Sequence, residues 1–140
     1  MQLAKQPTVL VADHYADTRF MLKFWLEREG CRVVEAVSGQ EAIELTRAAC
    51  PDLILMALRM LVRDGFDAIR CIREHVGEGD VPIVAMSTYP SMNERAAALT
   101  AGCSAFVAQP FDFDSLSALF HQLLPVVAGT GCGLITQTAQ

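Results

Sequence analysis

The stretch Pro51-Asp52-Leu53-Ile54-Leu55-Met56 decides the fold of this chain. Its four consecutive apolar residues predict a β-strand that is buried on both faces, as the strands of parallel sheets are. Four more short apolar runs occur along the chain, and amphipathic stretches of helical length separate them. The five predicted strands are Val9–Ala12, Arg32–Ala36, Asp52–Met56, Pro82–Met86 and Ser104–Val107. This strict alternation predicts an α/β domain with helices on both faces of a parallel sheet.

The stretches between the strands carry signals for helix starts and ends. The first helix is predicted from Ala16 to Glu29 and ends at Gly30. Ser38 and Ser91 each precede a glutamate by three residues, which is the pattern of a capping box. The last helix, capped by Asp112, has apolar residues at helical spacing: Leu116, Leu119, Phe120, Leu123 and Leu124. Because crossovers between parallel strands are right-handed, five such units predict a flavodoxin-like doubly wound fold with strand order 2-1-3-4-5.

Length and composition limit the classes of protein to which the chain can belong. The 140 residues fit one domain, which we predict over 1–127, followed by a Gly/Thr/Gln-rich, flexible tail over 128–140. The net charge of −5 and the lack of a basic patch predict that nucleic acid is not a partner. No apolar run is long enough to span a bilayer, so we expect no membrane association. Five cysteines without CxxC spacing predict reduced thiols and a cytoplasmic location.

Polar residues gather where the predicted strands end. In a doubly wound sheet the ligand crevice lies at the carboxyl ends of the strands, beside the point where the strand order reverses. Asp13 and His14 follow the first strand, Ala57 follows the third, Ser87 follows the fourth and Gln109 follows the fifth. We therefore expect these five residues to line one pocket.

Several segments together resemble a response-regulator receiver domain from about Pro7 to Pro125. The matching segments are Val9–Asp13, Pro51–Met56, Leu58–Met60 with Gly65, Pro82–Ser87, Ala101–Cys103 and Gln109–Phe111. Each segment alone is a weak signal, but together they cover all five strand–helix units at the spacing of the family. The resemblance also implies a cis peptide bond at Gln109-Pro110, and it places Phe106 at the position of the family's switch aromatic residue.

The resemblance implies a definite phosphorylation site, of which this sequence keeps only part. In the family, two acids after strand 1 and an aspartate after strand 3 hold magnesium, and that aspartate carries a phosphoryl group. A hydroxyl after strand 4 and a lysine after strand 5 bind the phosphoryl oxygens. Asp13 and Ser87 match the first acid and the hydroxyl, whereas His14, Ala57 and Gln109 replace the second acid, the phosphoacceptor and the lysine.

These replacements predict a pocket without the chemistry of the family. Alanine cannot form an acyl phosphate, so we expect no enzymatic or phosphoacceptor activity at Ala57. One carboxylate in place of three is a poor magnesium site, so magnesium binding is expected to be weak or absent, with Asp13 as a weak metal candidate and no other cofactor. Gln109 removes a cation that would be poorly paired without the aspartate.

We therefore predict a pseudo-receiver that works independently of phosphorylation, as a protein-interaction module in two-component-type signalling. Two alternatives remain open from the sequence. One is a sensor of a small molecule or anion in the vacated pocket. The other is a competent phosphoacceptor receiver that has been inactivated by engineering at Ala57.

Two surface features indicate where a protein partner binds. Phe20 and Phe24 lie about 200° around the first helix from the core residue Leu22, and an outward aromatic pair is typical of a contact site. After Asp114 the chain has no Lys, Arg, Asp or Glu. The outer side of the last helix is therefore neutral, as interface cores are, and it carries Ala118, His121 and Gln122. Receivers commonly pair through helix 4, strand 5 and helix 5, so we expect a homodimer or partner face there.

Overall fold

A single parallel sheet organises the computed structural model, which describes residues 6–60, 64–75, 81–88 and 91–124. Its strands are β1 (Thr8–Ala12), β2 (Arg32–Ala36), β3 (Leu53–Ala57), β4 (Ile83–Thr88) and β5 (Ala105–Gln109). All neighbours pair in parallel in the order β2-β1-β3-β4-β5, which confirms the predicted fold class. The predicted tail over 128–140, and the domain boundary at 127, lie outside the described residues.

Five helices cover the two faces of the sheet. They are α1 (Ala16–Arg28), α2 (Gly39–Ala49), α3 (Gly65–His75), α4 (Met92–Ala101) and α5 (Phe113–Leu123). On one face α1 and α5 pack together, because the Trp25 ring contacts the rings of Phe113 and Phe120 at centroid distances of 5.2 and 5.5 Å. On the other face α2, α3 and α4 pack in series. None of the helices in the described part of the chain has the length and apolar character needed to cross a bilayer.

The sheet is the core of the molecule. Every residue of β3 is buried, and so are Val9, Leu10, Val11 and Ala12 of β1. Leu22 and Leu26 of α1, together with Ile69 and Ile72 of α3, cover the sheet from its two sides. Burying apolar side chains of this size contributes about 1.5–3 kcal/mol each to folding, which explains why the most apolar run forms the central strand.

Three strands extend further at their carboxyl ends than the sequence indicates. Ala57 is the last residue of β3, Ser87 lies within β4, and Gln109 is the last residue of β5. The sequence analysis placed these residues just after the strands, which is wrong by one or two positions. The reason is pairing with neighbouring strands, since Ala57 is in register with Met86 and Ser87 with Ala108. The pocket residues are therefore held by the hydrogen bonds of the sheet.

Candidate functional site

A cavity of about 100 Å³ lies at the carboxyl ends of β1, β3, β4 and β5. It brings together all five residues that the sequence analysis assigned to the pocket. Its lining consists of Asp13, His14, Tyr15, Ala57, Arg59, Met86, Ser87, Thr88 and Gln109. The sheet topology, rather than local sequence, creates this site, because the residues come from four separate segments of the chain.

Asp13 is buried where β1 leads into α1, and its polar groups make local contacts. Its Oδ1 accepts a hydrogen bond from the backbone N–H of Tyr15 at 2.9 Å, which is an Asx-type turn that leads the chain into the helix. Its backbone carbonyl accepts a hydrogen bond from Arg19 Nη1 at 2.8 Å. Burial raises the pKa of the Asp13 carboxyl, although the Tyr15 N–H and the charges of His14 and Arg19 oppose the rise.

This arrangement predicts that Asp13→Asn is more stable than the wild type at neutral pH. The pKa of Asp13 is higher in the folded than in the unfolded chain, so ionisation of the carboxyl destabilises the fold. The protonated Asp13 carboxyl therefore contributes to the free energy of unfolding at low pH, and this contribution is lost as the pH rises through the folded-state pKa. Asparagine keeps the acceptor for Tyr15 without the charge. Thermal unfolding should therefore show a higher midpoint for Asp13→Asn at pH 7, and the gain should disappear below the ordinary aspartate pKa of 3.8.

The control for this prediction is Asp17→Asn, which changes an exposed acid in the first turn of α1. That carboxylate lies near the positive end of the helix dipole, so its neutralisation should lower the midpoint slightly at pH 7. Equal midpoints for wild type and Asp13→Asn at pH 7 would contradict the expected cost of the buried charge.

His14 lies half-buried beside Asp13, and it is the least satisfied polar residue of the cavity. Its Nδ1 is buried and has no hydrogen-bond partner among the described residues. Its ring contacts the Tyr15 ring at a centroid distance of 4.0 Å. Because buried polar atoms in proteins are nearly always hydrogen-bonded, this atom favours a small polar guest or a water molecule in the cavity.

Ser87 is buried, and its hydroxyl is engaged by a residue that the sequence analysis missed. Ser87 Oγ donates a hydrogen bond to Glu94 Oε1 of α4 at 2.6 Å, while the Thr88 carbonyl is a more distant acceptor at 3.2 Å. Glu94 Oε2 in turn accepts from Arg59 Nη2 at 2.9 Å. Glu94 is itself buried, with 8% of its side chain exposed, whereas 73% of the Arg59 side chain is exposed.

Glu94 was missed because Ser91-x-x-Glu94 has the pattern of a capping box. Ser91 Oγ does accept from the backbone N–H of Glu94 at 3.0 Å, so half of that box is present. The glutamate side chain, however, contacts Ser87 and Arg59 instead of the helix start. A second signal was available, because Glu94 follows the strand-end hydroxyl by seven residues and lies in the first turn of the next helix.

Ala57 and Gln109 face the cavity from β3 and β5. Ala57 is buried and presents only a methyl group, while Gln109 is half-buried and presents a neutral amide. The Gln109-Pro110 peptide bond is cis, which confirms the expectation from the family resemblance. The side chains of these two residues offer neither a nucleophile nor a positive charge.

The residues present do not fit a magnesium ion well. Magnesium prefers ionised carboxylate oxygens in octahedral geometry. Asp13 supplies the only carboxylate among the described residues that line the cavity, and its Oδ1 already accepts the Tyr15 N–H. Within the described ranges, no three His, Cys, Asp or Glu side chains come close enough together to hold a metal ion.

Phe106 lies on the edge strand β5 and is half-buried. The guanidinium of Arg95, which is the residue after Glu94, lies over its ring at 4.7 Å from the centroid. This is a cation–π contact between α4 and β5. Neighbouring residues of α4 thus contact both the Ser87 hydroxyl and the aromatic ring that the family resemblance singled out.

The candidate contact residues on the surface are exposed. Phe20 of α1 is 72% exposed, Phe24 is also exposed with Arg28 above its ring, and the sequence predicted this outward aromatic pair. Ala118, His121 and Gln122 are exposed on α5, as expected. The exposed apolar residues that the sequence analysis missed include Met92 and Leu99 of α4, at 86% and 57% exposure. Their spacing of seven residues places them on one side of α4, the helix that carries Glu94.

The comparison with protein families decides the identity of the fold. The family model for the response regulator receiver domain matches residues 9–121. This chain belongs to the response-regulator receiver family. Receiver domains are generally non-enzymatic signalling modules of two-component systems, and they act with protein partners.

Relatives of this receiver domain differ in how much of their length it covers. It is 34% identical over 122 residues to an uncharacterised 14.6 kDa protein of Leptolyngbya boryana, covering 93% of that protein. It is 36% identical over 109 residues to the transcriptional regulatory protein PdtaR of Mycobacterium tuberculosis, covering 52% of it. The chain therefore spans about half the length of the named transcriptional regulators that it matches, such as PrrA.

Solved structures agree with the fold. A putative response regulator from Chloroflexus aurantiacus superposes with a TM-score of 0.81 at 25% identity, over 86% of this chain and 99% of that one. The receiver domain of a Pseudomonas aeruginosa sensor histidine kinase superposes with a TM-score of 0.79 at 26% identity, over 86% and 99% of the two chains. That second structure is described with a magnesium ion coordinated in its active-site cleft.

Proposed function

We propose that this receiver domain acts independently of phosphorylation, as a protein-interaction module in two-component-type signalling. The observation that carries the proposal is Ala57, at the carboxyl end of β3 and on the wall of the cavity shared by Asp13 and Ser87. A methyl group cannot attack a phosphoryl donor or hold an acyl phosphate. Magnesium binding is proposed to be weak or absent, because Asp13 alone would supply the carboxylate.

The other cavity residues support this proposal over an anion sensor. Two anion donors that line the cavity, the Ser87 hydroxyl and the Arg59 guanidinium, already contact the Glu94 carboxylate. A bound anion would lie beside this negative charge and beside Asp13. The unpartnered Nδ1 of His14 still favours a small polar guest, so the sensor stays a prediction from the sequence.

The cavity also argues against a competent receiver disabled at one position. His14 and Gln109 replace the second acid and the lysine that the family resemblance implies, so three of the five positions differ together. A change made only to abolish phosphorylation would need Ala57 alone. We propose that the three replacements together removed magnesium binding and phosphorylation from the pocket.

We further propose that the domain pairs with a second copy of itself through α4, β5 and α5. Met92 and Leu99 expose apolar surface on α4, and Phe106 lies on the neighbouring edge strand. No formal side-chain charge lies on α5 after Asp114, so two copies bring no like charges together along that helix. We also propose a cytoplasmic location, which the five cysteines without CxxC spacing support.

One experiment tests pairing and phosphorylation together. The molar mass of the purified chain is measured by size-exclusion chromatography with light scattering, with and without acetyl phosphate and magnesium, and intact mass is recorded in parallel. We expect a dimer under both conditions and no phosphoryl adduct. Leu99→Glu should give a monomer, because it places a charge in the apolar face of α4. Phe20→Glu is the matched control on α1 and should remain dimeric.

A stoichiometric phosphoryl adduct would refute independence from phosphorylation. A dimer that dissociates in Phe20→Glu and persists in Leu99→Glu would place the pairing face on α1 instead. A monomer at all concentrations would leave the proposed self-pairing wrong.

A further inference from the structure

Two consecutive residues in the first turn of α4 contact two separate strands. Glu94 accepts a hydrogen bond from Ser87 of β4, and Arg95 lies over the Phe106 ring of β5. Glu94 also accepts a hydrogen bond from Arg59, in the segment that leaves β3. One turn of α4 is thereby connected to β4, to β5 and to the segment that follows β3.

The contact between Glu94 and Ser87 has the geometry of a strong hydrogen bond. The distance of 2.6 Å between Ser87 Oγ and Glu94 Oε1 is at the short end of the range for O–H···O bonds, as expected for a carboxylate acceptor. Both residues are buried. A buried carboxylate is costly unless it is hydrogen-bonded and paired, and here Ser87 and Arg59 each contact one of its oxygens.

Glu41 shows what a glutamate at this helix position ordinarily does. Like Glu94, it lies three residues after a serine that caps the helix, and its backbone N–H donates to Ser38 Oγ at 3.1 Å. Its carboxylate accepts from the backbone N–H of Val37 at 2.8 Å, so it serves the start of its own helix. The residue before Ser91 is Pro90, which has no N–H to donate, and the Glu94 carboxylate binds residues outside α4.

We infer that Glu94 is an internal ligand that takes the place of a phosphoryl oxygen at Ser87. Its carboxylate binds the Ser87 hydroxyl and the Arg59 guanidinium, and it thereby holds the first turn of α4 in one position without any phosphoryl group. The inference rests on the proposed function, since it takes Ser87 to be the switch hydroxyl of a receiver that is not phosphorylated.

The consequence concerns the face that α4 presents to a partner. Met92 and Leu99 lie within five residues of Glu94 on the same short helix, so fixing the first turn fixes where both residues lie on the surface. Arg95 adds the contact to Phe106 on the neighbouring strand. The pairing face is therefore assembled permanently.

Hydrogen–deuterium exchange tests the inference by measuring the protection of the α4 amides. All variants carry Leu99→Glu, and the chain with this single change is the parent. Loss of self-pairing therefore cannot account for a change in the exchange of α4. In this background Glu94→Ala should speed exchange at residues 95–98 about tenfold or more, because it removes hydrogen bonds to a charged group that hold the helix to β4. Glu41→Ala is the matched control, and its effect should be confined to α2.

Two more variants separate the parts of the contact. Glu94→Gln keeps an acceptor for Ser87 and loses the charge that pairs with Arg59, so its α4 exchange should lie between those of the parent and Glu94→Ala. It also answers the question if Glu94→Ala does not fold. Ser87→Ala should speed α4 exchange in the parent and add nothing in the Glu94→Ala background.

The inference is overturned if α4 exchanges in Glu94→Ala and Glu94→Gln as it does in the parent. It is also overturned if Ser87→Ala has the same effect with and without Glu94, because the two residues would then act separately. These readings depend neither on a phosphoryl adduct nor on dimer formation, so they distinguish failure of the inference from failure of the proposed function.

Discussion

Replacing Gly65 with alanine should lower the midpoint of thermal unfolding by roughly 10 °C, although alanine in a helix is usually favourable. Gly65 is the first residue of α3 and lies directly against the end of β3. An added Cβ would lie 2.2 Å from the carbonyl oxygen of Ala57 and 2.7 Å from the Cα of Leu58. Both atoms belong to the backbone, so no side-chain rotation relieves the clash. Overpacking of this kind costs about 3 kcal/mol.

Whether the unfolding midpoint of Gly65→Ala falls or rises distinguishes a steric clash from the effect of helix propensity. If helix propensity alone governed position 65, alanine would raise stability by about 1 kcal/mol. The control is Ala96→Gly on the exposed face of α4, where only helix propensity changes and the midpoint should fall by a few degrees. An unchanged or higher midpoint for Gly65→Ala would show that the turn between β3 and α3 relaxes without cost.

The sheet and the pocket could be predicted from the sequence because both follow from simple periodicity. Apolar runs of strand length predict the order of elements, and the rule that ligands bind at the carboxyl ends of strands predicts that Asp13, Ala57, Ser87 and Gln109 lie together. The predicted positions of the strand ends were less accurate. Hydrogen bonding to a neighbouring strand decides where a strand stops, and a single chain segment does not carry that information.

The contact between Glu94 and Ser87 was missed because the local sequence pattern has another explanation. A serine followed three residues later by a glutamate is explained by capping of a helix start, and Glu41 has that capping role. The Glu94 side chain does not have that role, because α4 lies close enough to β4 for the Glu94 carboxylate to reach the Ser87 hydroxyl. The exposed face of α4 was missed for a related reason, since a helix rich in alanine has no strong apolar stripe.

Ala57→Asp alone should remain without a phosphoryl adduct in acetyl phosphate and magnesium. The new carboxylate would be buried beside Asp13, whose pKa is already raised by burial, so two acids would share one poorly hydrated site. One of them is then expected to hold a proton, which leaves one ionised carboxylate for magnesium where the family resemblance implies three. His14 adds no carboxylate, Gln109 adds no positive charge, and the Ser87 hydroxyl stays bound to Glu94.

The single variant should be compared with the triple variant Ala57→Asp, His14→Asp and Gln109→Lys. It restores the three carboxylates and the cation that the family resemblance implies, and intact mass should show labelling at least about 100-fold faster than for Ala57→Asp alone. Ala57→Asn is the control for size, because it fills the same space without a charge, and it should lower the unfolding midpoint less than Ala57→Asp at pH 7. A full adduct on Ala57→Asp by itself would mean that the cavity still positions a phosphoryl donor. Position 57 would then be the one obstacle, and the engineered-receiver alternative would be the better account of this chain.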